Sequence, residues 1–162
     1  MNESASAQVG RPACPQAQDA TSILWRFSEA IDKRMAAAAA RLFASDGVFR
    51  RAEEVVRGRT NIESLYLSRM ADPRRTTRHQ WSNVRCQPLG QLEARVEALL
   101  TTYAFEPQIS ETHLQVRIGN VSCRCIPDPE EGWVFAEHVY ERAFVAYLPL
   151  SPTQAQTPGA PA

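Results

Sequence analysis

The chain has 162 residues, 44% hydrophobic and 22% charged, a size that favours one domain around one core. Its 18 basic residues are balanced by 18 acidic ones, which argues against a dedicated nucleic-acid binder. No apolar run approaches the roughly 18–20 residues that cross a bilayer, and every basic residue except Lys33 is an arginine, leaving one candidate for lysine-centred covalent chemistry.

Residues 1–18 and 151–162 are rich in Ala, Gln, Ser, Thr and Pro and carry almost no large apolar side chains. Such segments cannot offset the entropy of ordering, so both are expected to be disordered tails flanking a folded domain at residues 19–150. The first residues lack the charged and apolar regions of a secretory signal. Asp19 or Thr21 can cap a helix running to about Lys33, with Ile23, Phe27, Ala30 and Ile31 as its apolar stripe. A second short helix holds the alanine run with Leu42 and Phe43 and stops at the turn signal Ser45-Asp46-Gly47. Gly47–Arg51 and Glu54–Arg57 read as a short hairpin. Thr60 and Glu63 then form a capping box that opens a third helix, ending before Pro73.

From Arg75 the period changes from helical to alternating. Four strands are predicted, at Arg75–Leu89, Leu92–Phe105, His113–Ile126 and Gly132–Tyr147. Several exceed the usual five or six residues, which predicts a long, curved, antiparallel sheet. Helices first and a meander afterwards is an α+β layout. A curved sheet wrapped over helices leaves a cone-shaped cavity, a natural small-molecule site.

Within this layout a few side chains could carry chemistry. Arg26, Glu29 and Lys33 form a narrow polar arc on the first helix, and Asp32 lies outside it, on the flank shared with Trp25 and Ser28. A carboxylate there is costly unless it is paired, caps the helix or reaches solvent. On the third-helix side, alternation places His79 on one strand face with Thr77, Trp81 and Asn83. That face joins a titratable imidazole to an aromatic wall and two hydrogen-bonding groups, although a bulge can turn Trp81 or Asn83 the other way. Tyr103 is either a pocket phenol or a core ring. His113 and His138 could line the cavity mouth but are expected at the surface, and Arg74, Arg75 and Arg78 read as a solvated rim. Four scattered cysteines, Cys14, Cys86, Cys123 and Cys125, suit a reduced, cytoplasmic chain rather than a disulfide scaffold. Cys123 and Cys125 have no second C-x-C or C-x-x-C to complete a zinc set, so no metal site is expected. Phosphate loops, nucleophile elbows and dinucleotide fingerprints are absent from the sequence.

The fragments Phe27-Ser-Glu-Ala-Ile-Asp32, Arg41-Leu-Phe-Ala-Ser-Asp-Gly-Val-Phe49 and Arg57-Gly-Arg-Thr-Asn-Ile62 are followed by Arg78-His-Gln-Trp-Ser-Asn-Val84 and Gly132-Trp-Val-Phe135. In order and spacing they resemble the SnoaL-like branch of the nuclear transport factor 2-like (cystatin-like α+β cone) superfamily. The resemblance implies a curved sheet around N-terminal helices. In dehydratases of that superfamily an aspartate late in the first helix pairs with a histidine on the strand after the third helix, and Asp32 and His79 fall at those positions. The similarity therefore implies His79 as general acid/base and Asp32 as its orienter, with no metal or organic cofactor. The final-strand arginine common in the family is His138 here.

The resulting expectation is a cofactor-independent lyase or isomerase, of dehydratase or cyclase type, acting on a hydrophobic cyclic substrate such as a polyketide, steroid or aromatic compound. Trp25, Trp81, Asn83 and Tyr103 are expected to line or polarise its site. The alternative is a non-catalytic ligand-binding or assembly module, or the small subunit of a ring-hydroxylating dioxygenase. A homodimer or homotrimer is expected, formed through a sheet face bearing Trp133, Phe135 or Phe144, with neither nucleic acid nor membrane as partner.

Overall fold

A computed structural model describes residues 15–90 and 92–151, with side chains from Ala20 onward apart from Gln91. The expected tails fall on residues 1–14 and 152–162, outside the described residues, except that residues 15–18 belong to the first helix. That helix, α1, spans Pro15–Asp32 and so begins earlier than Asp19 or Thr21. Proline has the backbone angle of a first helical position and no amide to leave unpaired there. Ile23, Leu24, Phe27, Ala30 and Ile31 are buried, which makes α1 the helix that fills the concave side of the sheet.

Arg34 terminates α1 in the left-handed region, at φ 61°. Its amide donates to Ile31 O (3.0 Å) and the Met35 amide donates to Ala30 O (2.7 Å), the paired bonds of a Schellman stop. The Arg34 guanidinium donates to Asp72 O (3.0 Å), Arg75 O (2.9 Å) and Met70 O. The end of α1 is thereby tied to the segment leading into the third strand.

The short α2 (Ala36–Arg41) buries Ala36, Ala39 and Ala40 and stops one residue before Leu42. Phe43 does not continue the helix; it opens β1 (Phe43–Arg51) and pairs with Phe135. Ser45-Asp46-Gly47 is an irregularity within that strand, because the register shifts between Phe43 and Val48. β2 (Glu54–Arg57) closes the expected hairpin with β1. The capping box does not form. α3 (Arg59–Arg69) starts two residues earlier than that box implies, with Gly58 at its N-cap and no side-chain cap bond. Gly58 has φ 83° and donates its amide to Gly47 O (2.8 Å), so the strand irregularity sets the helix start.

Four long strands follow: β3 (Thr76–Pro88), β4 (Ala94–Phe105), β5 (His113–Asp128) and β6 (Gly132–Pro149), close to the predicted bounds. The curved sheet has the order β2-β1-β6-β5-β4-β3. It is not wholly antiparallel, since β1 runs parallel to β6. The chain leaves β1 through β2, α3 and a three-strand meander before β6 returns along its open edge. Inward-facing Val96, Ala98 and Leu100 of β4 and Val121, Cys123 and Cys125 of β5 pack toward α1 and form one core with it. Burial pushes the Cys125 thiol up to about 12 and also pushes the Cys123 thiol well above the usual thiol range, consistent with packing rather than reactivity. No helix among the described residues is long and apolar enough to cross a membrane.

Candidate functional site

Asp32 is the last residue of α1, and His79 is the fourth residue of β3. Thr77 and His79 face inward because their register partners on β4, Ala104 and Thr102, are both buried. The His79 ring Nδ1 lies 2.6 Å from Asp32 Oδ1. The His79 amide donates to Asp32 Oδ2 (3.0 Å), and the Thr77 hydroxyl donates to Asp32 Oδ1 (2.9 Å). Burial pushes the Asp32 carboxyl up. The hydrogen bond and charge of His79, its amide and Thr77 outweigh that and hold it below the usual carboxylate range. An ionised Asp32 accepting at Oδ1 favours the tautomer with hydrogen on Nδ1, and Nε2 has no partner among the described residues. The side chains of His79 and Asp32 are only 12% and 17% exposed.

His79 lines a cavity enclosed by α1, α3 and the concave face of the sheet. Its apolar wall is Phe27 and Ile31 from α1, Phe49 from β1, and Leu100 from β4. Tyr66 and Met70 close it from the α3 side. The polar wall is cationic: Arg51, Arg69, Arg75 and Arg117 all reach the cavity. Arg75 Nε donates to Glu106 Oε1 (2.8 Å), and Arg117 donates to Glu106 Oε2 and Gln115. Burial raises the Glu106 carboxyl, but Arg117 and Arg75 more than compensate and hold it low. Arg69 pairs with Glu54 (2.6 Å) and lies over the Phe49 ring, 5.5 Å from its centroid.

The sequence expectations fare unevenly. Asp32 and His79 are brought together. Trp25 is 52% exposed and does not reach the cavity, because it stands about two turns, roughly 10 Å, up α1 from Asp32. Trp81 does face inward, but its indole N–H donates to Leu24 O (3.0 Å) and Ser28 Oγ (2.5 Å), fastening β3 to α1 outside the cavity. Asn83 falls at the register shift between Ser82 and Arg85, with φ 53°, and turns to the outer sheet face. Tyr103 also points outward, since its neighbour Thr102 takes the inner position opposite His79. Arg75 is no solvated rim residue; it is a cavity residue paired with Glu106. Arg74 is exposed as expected and meets Glu111.

His138 requires the largest correction. It is 2% exposed rather than on the surface, and it lines the cavity. Its ring packs 5.3 Å from Phe27, 5.5 Å from Phe49 and 5.2 Å from Phe135. Burial drives its imidazole down to about 4, so it is neutral at physiological pH. Neither ring nitrogen has a partner among the described residues. The register shift between Ile118 and Gly119 explains the misplacement: beyond it β6 turns Phe144 outward, whereas His138 and Tyr140 before it face in. Phe135 likewise belongs to the core and Trp133 packs against it, leaving Phe144 as the open residue of that trio. His113 remains near the chain's surface, beside Thr112.

The profile of the SnoaL-like domain matches residues 16–139. Among solved structures, a candidate scytalone dehydratase from Novosphingobium aromaticivorans DSM 12444 superposes with a TM-score of 0.71 at 16% identity, over 80% of this chain and 85% of that one. A candidate aromatic ring hydroxylase from the same species gives 0.70 at 14% identity, over 88% and 99%. A Catenulispora acidiphila protein in complex with S-DNPA gives 0.64 at 16% identity, over 75% and 89%. At these identities the likeness is one of fold. No curated protein matches the chain.

Proposed function

The chain belongs to the SnoaL-like domain family, and from that membership we propose that it is a cofactor-independent lyase or isomerase. It moves a proton on a hydrophobic cyclic substrate, a polyketide, steroid or aromatic compound. The observation that carries this reading is the 2.6 Å contact between His79 Nδ1 and Asp32 Oδ1 at the wall of a cavity lined by apolar side chains and by four arginines. Asp32 takes the Nδ1 proton as a hydrogen bond and stabilises the imidazolium, which leaves Nε2 to collect a proton from an activated carbon. The same Nε2–H then returns it, either to a departing hydroxyl, giving dehydration, or to a second carbon, giving isomerisation. Phe27, Ile31 and Leu100 keep water from competing for that proton.

His79→Ala is expected to abolish turnover of the substrate while leaving the melting temperature within a few degrees, because the imidazole bridges no core residues. Steady-state rates and thermal melts on the same preparation test this; a fully active variant overturns it. Screening a panel of cyclic ketones and hydroxylated polycycles for turnover identifies the substrate.

Self-association through the outer sheet face belongs to the same proposal. Phe144 (60% exposed) and Leu148 stand there on β6, with Tyr103 on β4 across the intervening β5, and a second copy of the chain is the partner their apolar surface suits. Analytical ultracentrifugation is expected to find a homodimer or homotrimer, and Phe144→Glu to shift it towards monomer.

A further inference from the structure

The catalytic pair occupies one side of the cavity; the opposite side holds groups that proton transfer at His79 does not use. Arg51 ends β1 and lies directly across from Tyr140 in the parallel β1–β6 pair, so the two side chains are neighbours on the concave face. Three of the four cavity guanidiniums have carboxylate partners: Arg69 has Glu54, while Arg75 and Arg117 share Glu106. Arg51 has neither an ion pair nor a side-chain hydrogen bond among the described residues, although it is partly buried. The Tyr140 hydroxyl is buried and unpartnered as well. Its ring lies across Gly119, where a Cβ would come within 2.8 Å of the ring and 2.4 Å of Glu141 O, so the missing side chain makes room for it.

A partly buried, unpaired guanidinium beside a buried, unpaired hydroxyl is unfavourable in the empty protein. Arg69 and Arg117 add repulsion, since both are close enough to weaken the hold of Arg51 on its proton, after burial itself. Glu54 partly offsets their charge but is engaged by Arg69. The arrangement lacks one thing, an anionic oxygen that accepts from both donors. A carboxylate has two oxygens and can accept from the guanidinium and the phenol together, and such charge-assisted bonds are stronger than neutral ones.

We propose that Arg51 and the Tyr140 hydroxyl form a subsite for a carboxylate carried by the ligand, so that this cavity takes an aromatic or polycyclic acid rather than a neutral ring compound. The carboxylate seats on the β1–β6 side, and the ring fills the space between Phe49, Ile31 and Leu100 toward His79. The inference rests on the proposed function only in calling this acid a substrate; the binding itself needs no turnover.

Titration calorimetry with 2-naphthoate, 2-naphthamide and sulfate separates the possibilities. The wild-type protein is expected to bind the acid at least about tenfold more tightly than the isosteric amide. Sulfate is expected to be far weaker, because it has no ring for the apolar wall. Arg51→Gln is expected to erase the preference for the acid, Arg51→Lys to retain part of it, and Tyr140→Phe to reduce it by a smaller factor. Because unpaired positive charge is relieved, naphthoate is also expected to raise the melting temperature of the wild-type protein, a measurement that does not depend on any variant folding. Equal binding of acid and amide, no binding of either, or equal stabilisation by sulfate overturns the proposal, as does a preference that survives Arg51→Gln. His79→Gln is expected to keep the acid preference. Loss of turnover in that variant therefore reports on the catalytic reading, and loss of the acid preference in Arg51→Gln reports on this one.

Discussion

His138 shows how far burial alone can move an imidazole. With Phe27, Phe43, Phe49 and Phe135 around it, it is driven from 6.5 down to about 4. The folded chain therefore refuses a proton that the unfolded chain accepts between these values. The stability conferred by the neutral ring is whole above pH 6.5 and is lost as pH falls toward 4, by about 3 kcal/mol at most. Asp32 and Glu106 also lose stability in acid, but only as pH falls through carboxyl values held below 3.8 and 4.5. Urea midpoints at several pH values separate the two windows, and His138→Phe is expected to flatten the upper one and leave the lower one in place. At this scale local geometry made Asp32 and His79 candidates, through a wheel position outside the polar arc and alternation along one strand, and only the family resemblance paired them. Tyr103 and Asn83 were not legible. Which parity of β4 faces in follows from its pairing with β3, and Asn83 turns outward at a bulge that local alternation does not announce.

Arg34 holds elements together rather than taking part in chemistry. Its left-handed backbone ends α1 one turn after Ile31, and its guanidinium reaches three carbonyls around the α3–β3 connection. Asp32 and His79 sit just either side of this tie, so it helps to keep the end of α1 against β3. Arg34→Ala is expected to destabilise by about 1–2 kcal/mol, from lost charged hydrogen bonds with the strained backbone retained. Arg34→Gly loses the same bonds but relieves the backbone, and is expected to be the milder change, by up to about 1 kcal/mol. Chemical denaturation of the two variants checks the order. The elements themselves were largely readable. The four long strands came close to their bounds because alternation is strong and Pro and Gly punctuate it. The start of α3 was misread because Gly58 is held by Gly47 of β1, a contact between segments that meet only after folding.

Across the whole molecule, the two faces of one sheet differ in what they carry. The concave face carries the cavity, with the Asp32–His79 pair and Arg75 on the β3 side, Arg51 on β1, Arg117 on β5 and Arg69 reaching in from α3. The convex face carries Phe144, Leu148 and Tyr103 in the open. Phe144→Glu is accordingly expected to change sedimentation without changing the affinity for an acid ligand, since the two surfaces lie on opposite sides of the strands. The sequence by itself determined the α+β order and the alternation that makes the strands, because these depend on periodicity, whereas the pairing of Asp32 with His79 was implied only by the family resemblance of its fragments. Only the tertiary structure decided that β6 returns alongside β1, which brings Tyr140 beside Arg51. It also decided that His138 is enclosed by phenyl rings and that Trp25 stands away from the cavity. The physical reason is register. A single displaced residue in a strand reverses every side chain beyond it, and the pairing that fixes the displacement joins residues far apart in the chain.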